Sequence, residues 1–447
     1  MLSSARLAVI QILQAIDQGA FADIALQGYL DQQPEAKDRR LMTELVYGIV
    51  RRQRTLDHLM TQLAHRPANE QSPQLRHLLR LGLYQLRYLN QIPPHAAIHT
   101  TVDLAKHLNL GRLSKVVNAV LRQYLRLAST ADPLQVDNLH PVRRLGILHS
   151  FPDWMVQVWQ AQIGLAQTEA LCRWFNQRPT MDLRLHPRRS SVAQMQHQLA
   201  ALDIASQPLP QLPQALRILN APGRLTDLPG FTEGAWVVQD ASAQLVGYML
   251  DPQPEWRVLD MCAAPGGKTV HLAELMENKG QIWACEKAKS RIKRIQENLD
   301  RLQVSGVHLW QGDGRSLPAT IPQVDAALVD APCSGLGTLH RHVDARWRQT
   351  PDSVQQLRAL QLELLNSAAG KVKAGGLLVY STCTLHPAEN EQVVDQFLVD
   401  HPHWSLENPP SHSPARSFLS NPGILKIWPH RQEMDGFFVA RFRQHFP

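Results

Sequence analysis

The chain predicts an α/β protein built on a Rossmann-like, doubly wound and mostly parallel sheet, preceded by an all-helical domain and a small α+β connecting region. Three observations carry this. The first quarter repeats apolar residues at helical spacing with no period-2 alternation. From about Ala235 short apolar runs alternate with helical stretches. Between them lies a passage punctuated by proline and glycine. The 447 residues exceed one ordinary core, and a hydrophobic fraction of 44% suffices for several. The expected division is 1–130, 131–234 and 235–447.

Leu7, Ile10, Leu13 and Ile16 begin the helical part, and the run from Asp38 to Met60 continues it with Leu41, Leu45, Ile49 and Leu56. A third helix, LRHLLRLGLYQLRYL, stops at Ile92-Pro93-Pro94. AAIHTTVDLAKHL and LSKVVNAVLRQYL follow, separated by Asn109-Leu110-Gly111. LASTADP reads as a linker. A helix through WMVQVWQAQIGLAQTEALCRWF and a strand at MDLRLH come next. Pro208, Pro210, Pro213, Pro222-Gly223 and Pro229-Gly230 then predict an irregular, strand-poor passage. The runs WRVLDM, GQIWACE, VHLWQGD, DAALVDAP and GGLLVYSTC are the signature of a parallel sheet. DGFFVARFRQ alternates enough to be the last strand, with Phe437 and Phe438 read as core.

The formal net charge of +7 favours an anionic partner, nucleic acid first. Cys172, Cys262, Cys285, Cys333 and Cys383 form no CxxC pair, so neither a disulfide framework nor a zinc site is expected. A reducing cytoplasm fits this cysteine usage. Arg6, Gln11, Gln14 and Asp17 interrupt any signal-peptide core, and no apolar run reaches the ~20 residues that span a bilayer. A cytoplasmic, metal-free monomer with no membrane segment is expected.

Strand Arg257–Leu259 ends in Asp260-Met261-Cys262-Ala263-Ala264-Pro265-Gly266-Gly267-Lys268-Thr269, and a helix follows. Small residues and glycines there let a ligand approach backbone N–H groups near a helix N-terminus. A P-loop would need glycine where Cys262 stands, and a dinucleotide G-x-G-x-x-G is absent. The next strands each end in an acid, Glu286, Asp313 and Asp330. Singly, such acids are mostly turn residues or helix caps. Three beside a Gly-rich loop favour a nucleoside ligand, with Glu286 suited to ribose hydroxyls and Asp313 to an adenine amine.

Asp330-Ala331-Pro332-Cys333-Ser334-Gly335 follows the fourth strand of this part, and Ser381-Thr382-Cys383 the fifth. A lone cysteine is more often a small buried hydrophobe than a catalyst. Two beyond sheet strands, on the edge that carries the cofactor loop, read differently.

CAAPGGKT, DAPCSG and STCT resemble the motifs of the RNA cytosine-5 methyltransferase family that includes the bacterial Sun/Fmu enzymes. LMTELVYGIVRRQRTLD and VNAVLR resemble the NusB-like domain those enzymes carry. The resemblance covers nearly the whole chain and is weakest in the middle. It implies S-adenosyl-L-methionine as cofactor and small-subunit (16S) ribosomal RNA as substrate. It implies that Cys262, Ala263, Ala264, Pro265, Gly266, Gly267, Lys268, Glu286, Asp313 and Asp330 line the methyl-donor site. It implies Cys383 as nucleophile and Cys333 as its partner in product release. Glu286 stands where many relatives carry aspartate.

Cytosine C5 is too weak a nucleophile to take a methyl group directly. Thiolate addition at C6 makes an enamine whose C5 can. Asp330 suits the N3/N4 edge of the ring, and Lys268 would help electrostatically. The DAPCSG sequence departs from the [DN]-P-P-[YF] pattern expected for methylation of an exocyclic amine. The base must be unstacked, so single-stranded or flipped-out RNA is expected. Lys37, Arg39, Arg40, Arg51, Arg52 and Arg54 are candidate phosphate contacts, against the ordinary reading of a solvated charged face. His340, Arg341 and His342 are further candidates, equally readable as plain loop residues. Two rival functions are a non-catalytic RNA-binding factor, opposed by the Cys333/Cys383 pair, and a P-loop ATPase, opposed by Cys262.

Overall fold

The computed structural model describes residues 4–33 and 35–445. It divides into two compact units, residues 1–177 with 339–348, and residues 178–338 with 349–447.

The first unit is helical: α1 (Ser4–Asp17), α2 (Ala22–Leu30), α3 (Ala36–Arg51), α4 (Gln53–Ala64), α5 (Pro73–Tyr88), α6 (Pro94–His107), α7 (Gly111–Ala128), α8 (Pro141–His149) and α9 (Asp153–Trp174). The expected continuous run from Asp38 to Met60 is two helices. The break lies at Arg52, whose ψ of 13° leaves the helical region. There the Arg54 N–H donates to Ser150 Oγ (3.0 Å), and the Thr55 hydroxyl donates to the Ile147 carbonyl (2.6 Å). Partners some 90 residues away leave no local pattern. The apolar stripes meet in one core that includes Ile10, Leu45, Leu59, Leu78, Leu83 and Leu121.

The segment 339–348 belongs to this helical unit. Arg346, on a helical turn over Ala345–Arg348, is wholly buried. Its guanidinium donates to the carbonyls of Arg51, Ser150 and Leu339 at 3.1 Å each and lies 4.1 Å over the Phe151 ring. His340, read above as a candidate RNA contact, is instead 2% exposed with its ring 4.4 Å from that of Trp174.

The second unit opens with β1 (Met181–Leu185), α10 (Val192–Ala200), β2 (Ser206–Pro208), β3 (Ala215–Ile218) and β4 (Trp236–Val238). These strands make an antiparallel sheet in the order β2-β3-β1-β4. The passage expected to be strand-poor thus holds strands. Pro208 is tolerated because β2 is an edge strand.

After α11 (Ala241–Leu250) the main sheet begins: β5 (Arg257–Asp260), α12 (Gly267–Leu275), β6 (Gln281–Glu286), α13 (Lys289–Leu302), β7 (Val307–Gln311), β8 (Val324–Asp330), α14 (Pro351–Ala369), β9 (Val372–Thr382), α15 (Glu391–Asp400), β10 (Trp404–Leu406), β11 (Leu419–Asn421), β12 (Ile424–Ile427) and β13 (Phe437–Gln444). The order is β11-β12-β13-β9-β8-β5-β6-β7, with β10 beside β13. β5 to β9 pair in parallel and carry the doubly wound pattern. β13 runs antiparallel to β9, with Phe437 and Phe438 in the core. The strand order reverses between β5 and β8, so the loops after β5, β6, β8 and β9 share one edge, where ligands of open α/β sheets bind.

Replacing Arg346 by Ala leaves three buried carbonyls without their donor. The helical unit should lose about 3 kcal/mol or more. Hydrogen exchange in urea is expected to rise at residues 339–348 and 147–151 while β5, β8 and β9 stay protected. Unchanged exchange would contradict this.

Candidate active site

On this sheet edge β8 ends in Asp330 and β9 in Thr382, which puts the two cysteine loops side by side. The ladder pairs Asp330 with Ser381, and the Ala331 N–H donates to the Ser381 carbonyl (2.9 Å). Cys333 and Cys383 then meet with their sulfurs 3.4 Å apart, both thiols free and part-buried. That is a hydrogen-bond contact, far longer than the ~2.05 Å of a disulfide.

Backbone contacts hold this approach. The Gly337 N–H donates to the Cys383 carbonyl, and the Gly436 N–H donates to the Gly337 carbonyl, both at 2.9 Å. A Cβ on Gly337 would stand 2.0 Å from the Gly436 oxygen and 2.8 Å from that of Cys383, so only glycine fits.

Sequence reasoning missed Glu389, which is fully buried beneath both loops. It accepts from the Ser334 N–H (2.8 Å), the Ser334 hydroxyl, Gln361 Nε2 (3.0 Å) and the Thr384 hydroxyl (3.2 Å). Gln361 also donates to the Pro332 carbonyl (2.9 Å), and Tyr380 donates to the Glu389 carbonyl (2.6 Å). Burial pushes the Glu389 carboxyl up, and these donors oppose the rise. The acid lies in the unremarkable run HPAENEQ, and its role is set by residues 28 to 55 positions away.

The thiols differ. The hydrogen bond to Cys383 pushes the Cys333 thiol far up, and burial and the charge on Cys383 add to the effect. Cys333 therefore keeps its proton. Cys262 is raised by burial and by Asp260, Asp330 and Glu286, which leaves it a neutral lining group.

Asp330 accepts from Lys268 Nζ (2.7 Å) on one oxygen and from the Ser381 hydroxyl (2.8 Å) on the other. Each oxygen keeps a lone pair for a further donor. Burial pulls the Lys268 ammonium down, but its pairing with Asp330 outweighs this and holds it above its usual value. Lys268 is also 5.2 Å over the Phe437 ring.

The loop 262–268 fits a nucleoside-like methyl donor. Gly266 has φ of 102°, and a Cβ there would press on Ile295 at 3.3 Å. At Gly267 the nearest atom to an added Cβ, Gln239 Nε2, is 3.9 Å away, an ordinary contact. The first-turn N–H groups of α12 have no intrahelical acceptor. Buried Glu286 accepts from the Ala288 N–H (2.9 Å) and pairs with Arg291 (3.3 Å). Asp313 is held well below the usual carboxylate range, by Arg315 and then Lys287. Its oxygens already accept four hydrogen bonds, three from Arg315 and one from Lys287. A ligand amine there would have to displace one of them.

The candidate RNA contacts lie in the other unit. Lys37 and Arg40 are exposed on α3. Arg39 donates to the Gln33 carbonyl (3.0 Å) and Arg51 to that of His340 (3.2 Å). Arg52 lies 5.0 Å over the Tyr88 ring, and Arg54 pairs with Asp153 (2.7 Å). Among the described residues no group of three or more His, Cys, Asp or Glu could hold a metal ion, and no helix is long and apolar enough to cross a membrane.

A family model for the 16S rRNA methyltransferases RsmB/F matches residues 247–443. The NusB family matches 3–126, and a ferredoxin-like domain of RsmF/B-like methyltransferases matches 151–224. The "Probable ribosomal RNA small subunit methyltransferase B" of Synechocystis sp. is 46% identical over 99% of this chain and 100% of its own. The chain belongs to this family. A protein of the same printed name from Bacillus subtilis is 35% identical over 99% of both chains. The solved structure of PH0851 aligns over 99% of both chains with a TM-score of 0.82 and 26% identity. As a family member the chain is an S-adenosylmethionine-dependent methyltransferase of ribosomal RNA.

Asp260 offers a pH test of the site. It is wholly buried, with Oδ1 lacking a hydrogen-bond partner. Burial pushes its carboxyl up to about 7, opposed by the Thr269 hydroxyl (2.7 Å) and reinforced by Asp330. The folded chain therefore holds this proton more tightly than the unfolded chain. Stability falls as pH rises from about 4 to about 7, and the full cost is present above that window. Asp260→Asn should melt higher than the wild type at pH 8, without ligand, and the gap should close by pH 4. A gap independent of pH would contradict this.

Proposed function

We propose that the enzyme methylates C5 of a specific cytosine in small-subunit (16S) rRNA through a covalent bond between Cys383 and C6 of the ring. The 3.4 Å contact between the two sulfurs, beside Asp330 and Lys268, is the observation that carries this reading. Methylation of an exocyclic amine needs no thiol, and this site presents two.

In the resting site we take the Cys333 thiol as donor to the sulfur of Cys383, the attacking group. Asp330, fixed by Ser381 and Lys268, takes the N4–H edge of a flipped cytosine on its free lone pairs and orients C6 toward the Cys383 sulfur. Sulfur addition at C6 raises electron density at C5. Bound along the loop from Cys262 to Lys268, with Glu286 toward the ribose and Asp313 toward the adenine, S-adenosylmethionine supplies an electrophilic methyl group on a sulfonium. Cys262 stays neutral and does not compete as a nucleophile.

Once Cys383 is bonded to carbon, Cys333 loses both the acceptor and the negative charge that kept its proton on. Burial and Glu389 still raise the thiol, but less than before, so its proton passes to solvent and the resulting thiolate takes the proton from C5. The C6–S bond breaks with return of the electron pair to Cys383, and the resting hydrogen bond re-forms. The proton that Cys333 gave up is the one the net reaction releases. One pair of thiols thus serves as nucleophile and timed base.

We assign RNA contact to residues 1–130, with exposed Lys37 and Arg40 as the phosphate partners among the six basic residues, and to the connecting region 131–234. Chemistry lies in 235–447. A single chain carries every group this scheme uses, and the cytoplasm keeps its thiols reduced.

Cys383→Ala should abolish transfer of tritiated methyl to small-subunit rRNA. Cys333→Ala should slow turnover about 100-fold or more and leave a protein–RNA band on a denaturing gel that disappears when Cys383 is also replaced. Methylation by Cys383→Ala, or normal turnover without a band in Cys333→Ala, would overturn the assignment.

A further inference from the structure

The connecting region carries a buried charged group that reaches beyond its own sheet. Arg184, on β1, has no solvent exposure. Its guanidinium pairs with Glu274 on α12, whose side chain is 2% exposed. Its Nε donates to Gln239 Oε1 (2.6 Å), and its Nη2 donates to the Gly267 carbonyl (3.3 Å). Gln239 is fixed in turn, with its N–H on the Asp182 carbonyl (3.0 Å) and its own carbonyl accepting from Gln244 (2.9 Å). One rigid fork therefore joins β1, the segment before α11 and both ends of α12.

Burying an ion pair is expensive, and an apolar pair of similar volume often folds as well or better. Fold stability is therefore a poor reason for Arg184. Placement gives a better one. Gly267 is the first residue of α12, and its carbonyl belongs to the same peptide unit as the Lys268 N–H. Fixing that carbonyl fixes the direction of the Lys268 N–H, one of the first-turn N–H groups of α12 with no intrahelical acceptor. It also sets the start of the Lys268 side chain, which holds Asp330. His271, one turn on, is 1% exposed with neither ring nitrogen hydrogen-bonded, and burial with nearby Arg184 holds it neutral. It adds no competing charge.

We infer that Arg184 is a positioning residue for the methyl-donor loop, so that the connecting region forms part of the cofactor site through its contact with Gly267. This rests on the reading of residues 262–268 as the donor site.

The test uses the full chain with S-adenosylhomocysteine as the probe, measured by calorimetry alongside the melting temperature. Arg184→Met should raise the Kd about tenfold, the worth of one charge-assisted hydrogen bond, and should lower the melting temperature because Glu274 is left unpaired. Arg184→Met with Glu274→Leu should recover the melting temperature yet keep the raised Kd. In both, KM for the methyl donor should rise while KM for RNA stays. Wild-type Kd in either folded variant would overturn the inference and leave Arg184 a structural residue. Failure of the wild-type chain to bind the probe would remove the donor-site reading itself, and this inference with it.

Discussion

Two thiols lie 3.4 Å apart at the ends of neighbouring parallel strands, and much of the surrounding structure keeps them there. Two free thiols in contact would drift apart on flexible loops. Here the Cys333 loop hangs from Glu389 through Ser334, and Gln361 ties Pro332 to the same carboxylate. The Cys383 loop hangs from that carboxylate through Thr384, and Thr382 donates to Asn390 (2.6 Å) just beyond it. The backbone passage between Gly337 and Gly436 closes the remaining side. A buried carboxylate with so many donors is costly if any one is lost, which makes the arrangement rigid as well as specific.

Rigidity matters because the proposed chemistry depends on the order in which protons move. While Cys383 is free, its hydrogen bond and charge keep Cys333 protonated. Bonding of Cys383 to carbon removes both influences at once. Burial and Glu389 are then the remaining influences on its proton. On the donor side the logic is similar. Burial and neighbouring carboxylates keep Cys262 neutral, and Lys268 stays charged because Asp330 faces it. Each group's state follows from its neighbours.

The class of fold and the edge that carries the site were legible because both depend on local pattern. Apolar runs ending in Asp260, Glu286 and Asp330 became parallel strands, and the motifs around Cys333 and Cys383 fell on adjacent loops. What depended on distant partners was not legible. Glu389 sits in a polar run with no periodicity, and its role appears only once Ser334 and Gln361 fold onto it. Arg184 reads as one charge in a short strand, with partners 55 to 90 residues on. Pro208 hid β2, since an edge strand tolerates what a central one does not, and the prolines on either side of β3 hid that strand. The segment 339–348 looked like loop and is bound into the helical unit through Arg346. Of the six basic residues read as one cluster, Arg51 and Arg54 are engaged within that unit, whereas Lys37 and Arg40 are exposed.

The central claim is that Cys383, and not Cys333 or Cys262, bonds to the substrate ring. A small-subunit rRNA transcript carrying 5-fluorocytidine tests it directly, because fluorine at C5 cannot leave as the proton does and the ring stays attached to the enzyme. With S-adenosylmethionine present, the complex is digested and its cysteine peptides are identified by mass spectrometry. The account predicts a methylated fluoropyrimidine nucleotide on the peptide containing Cys383, with Cys333 and Cys262 unmodified. A nucleotide on Cys333, or recovery of all three cysteines unmodified from RNA that has been methylated elsewhere, would contradict it.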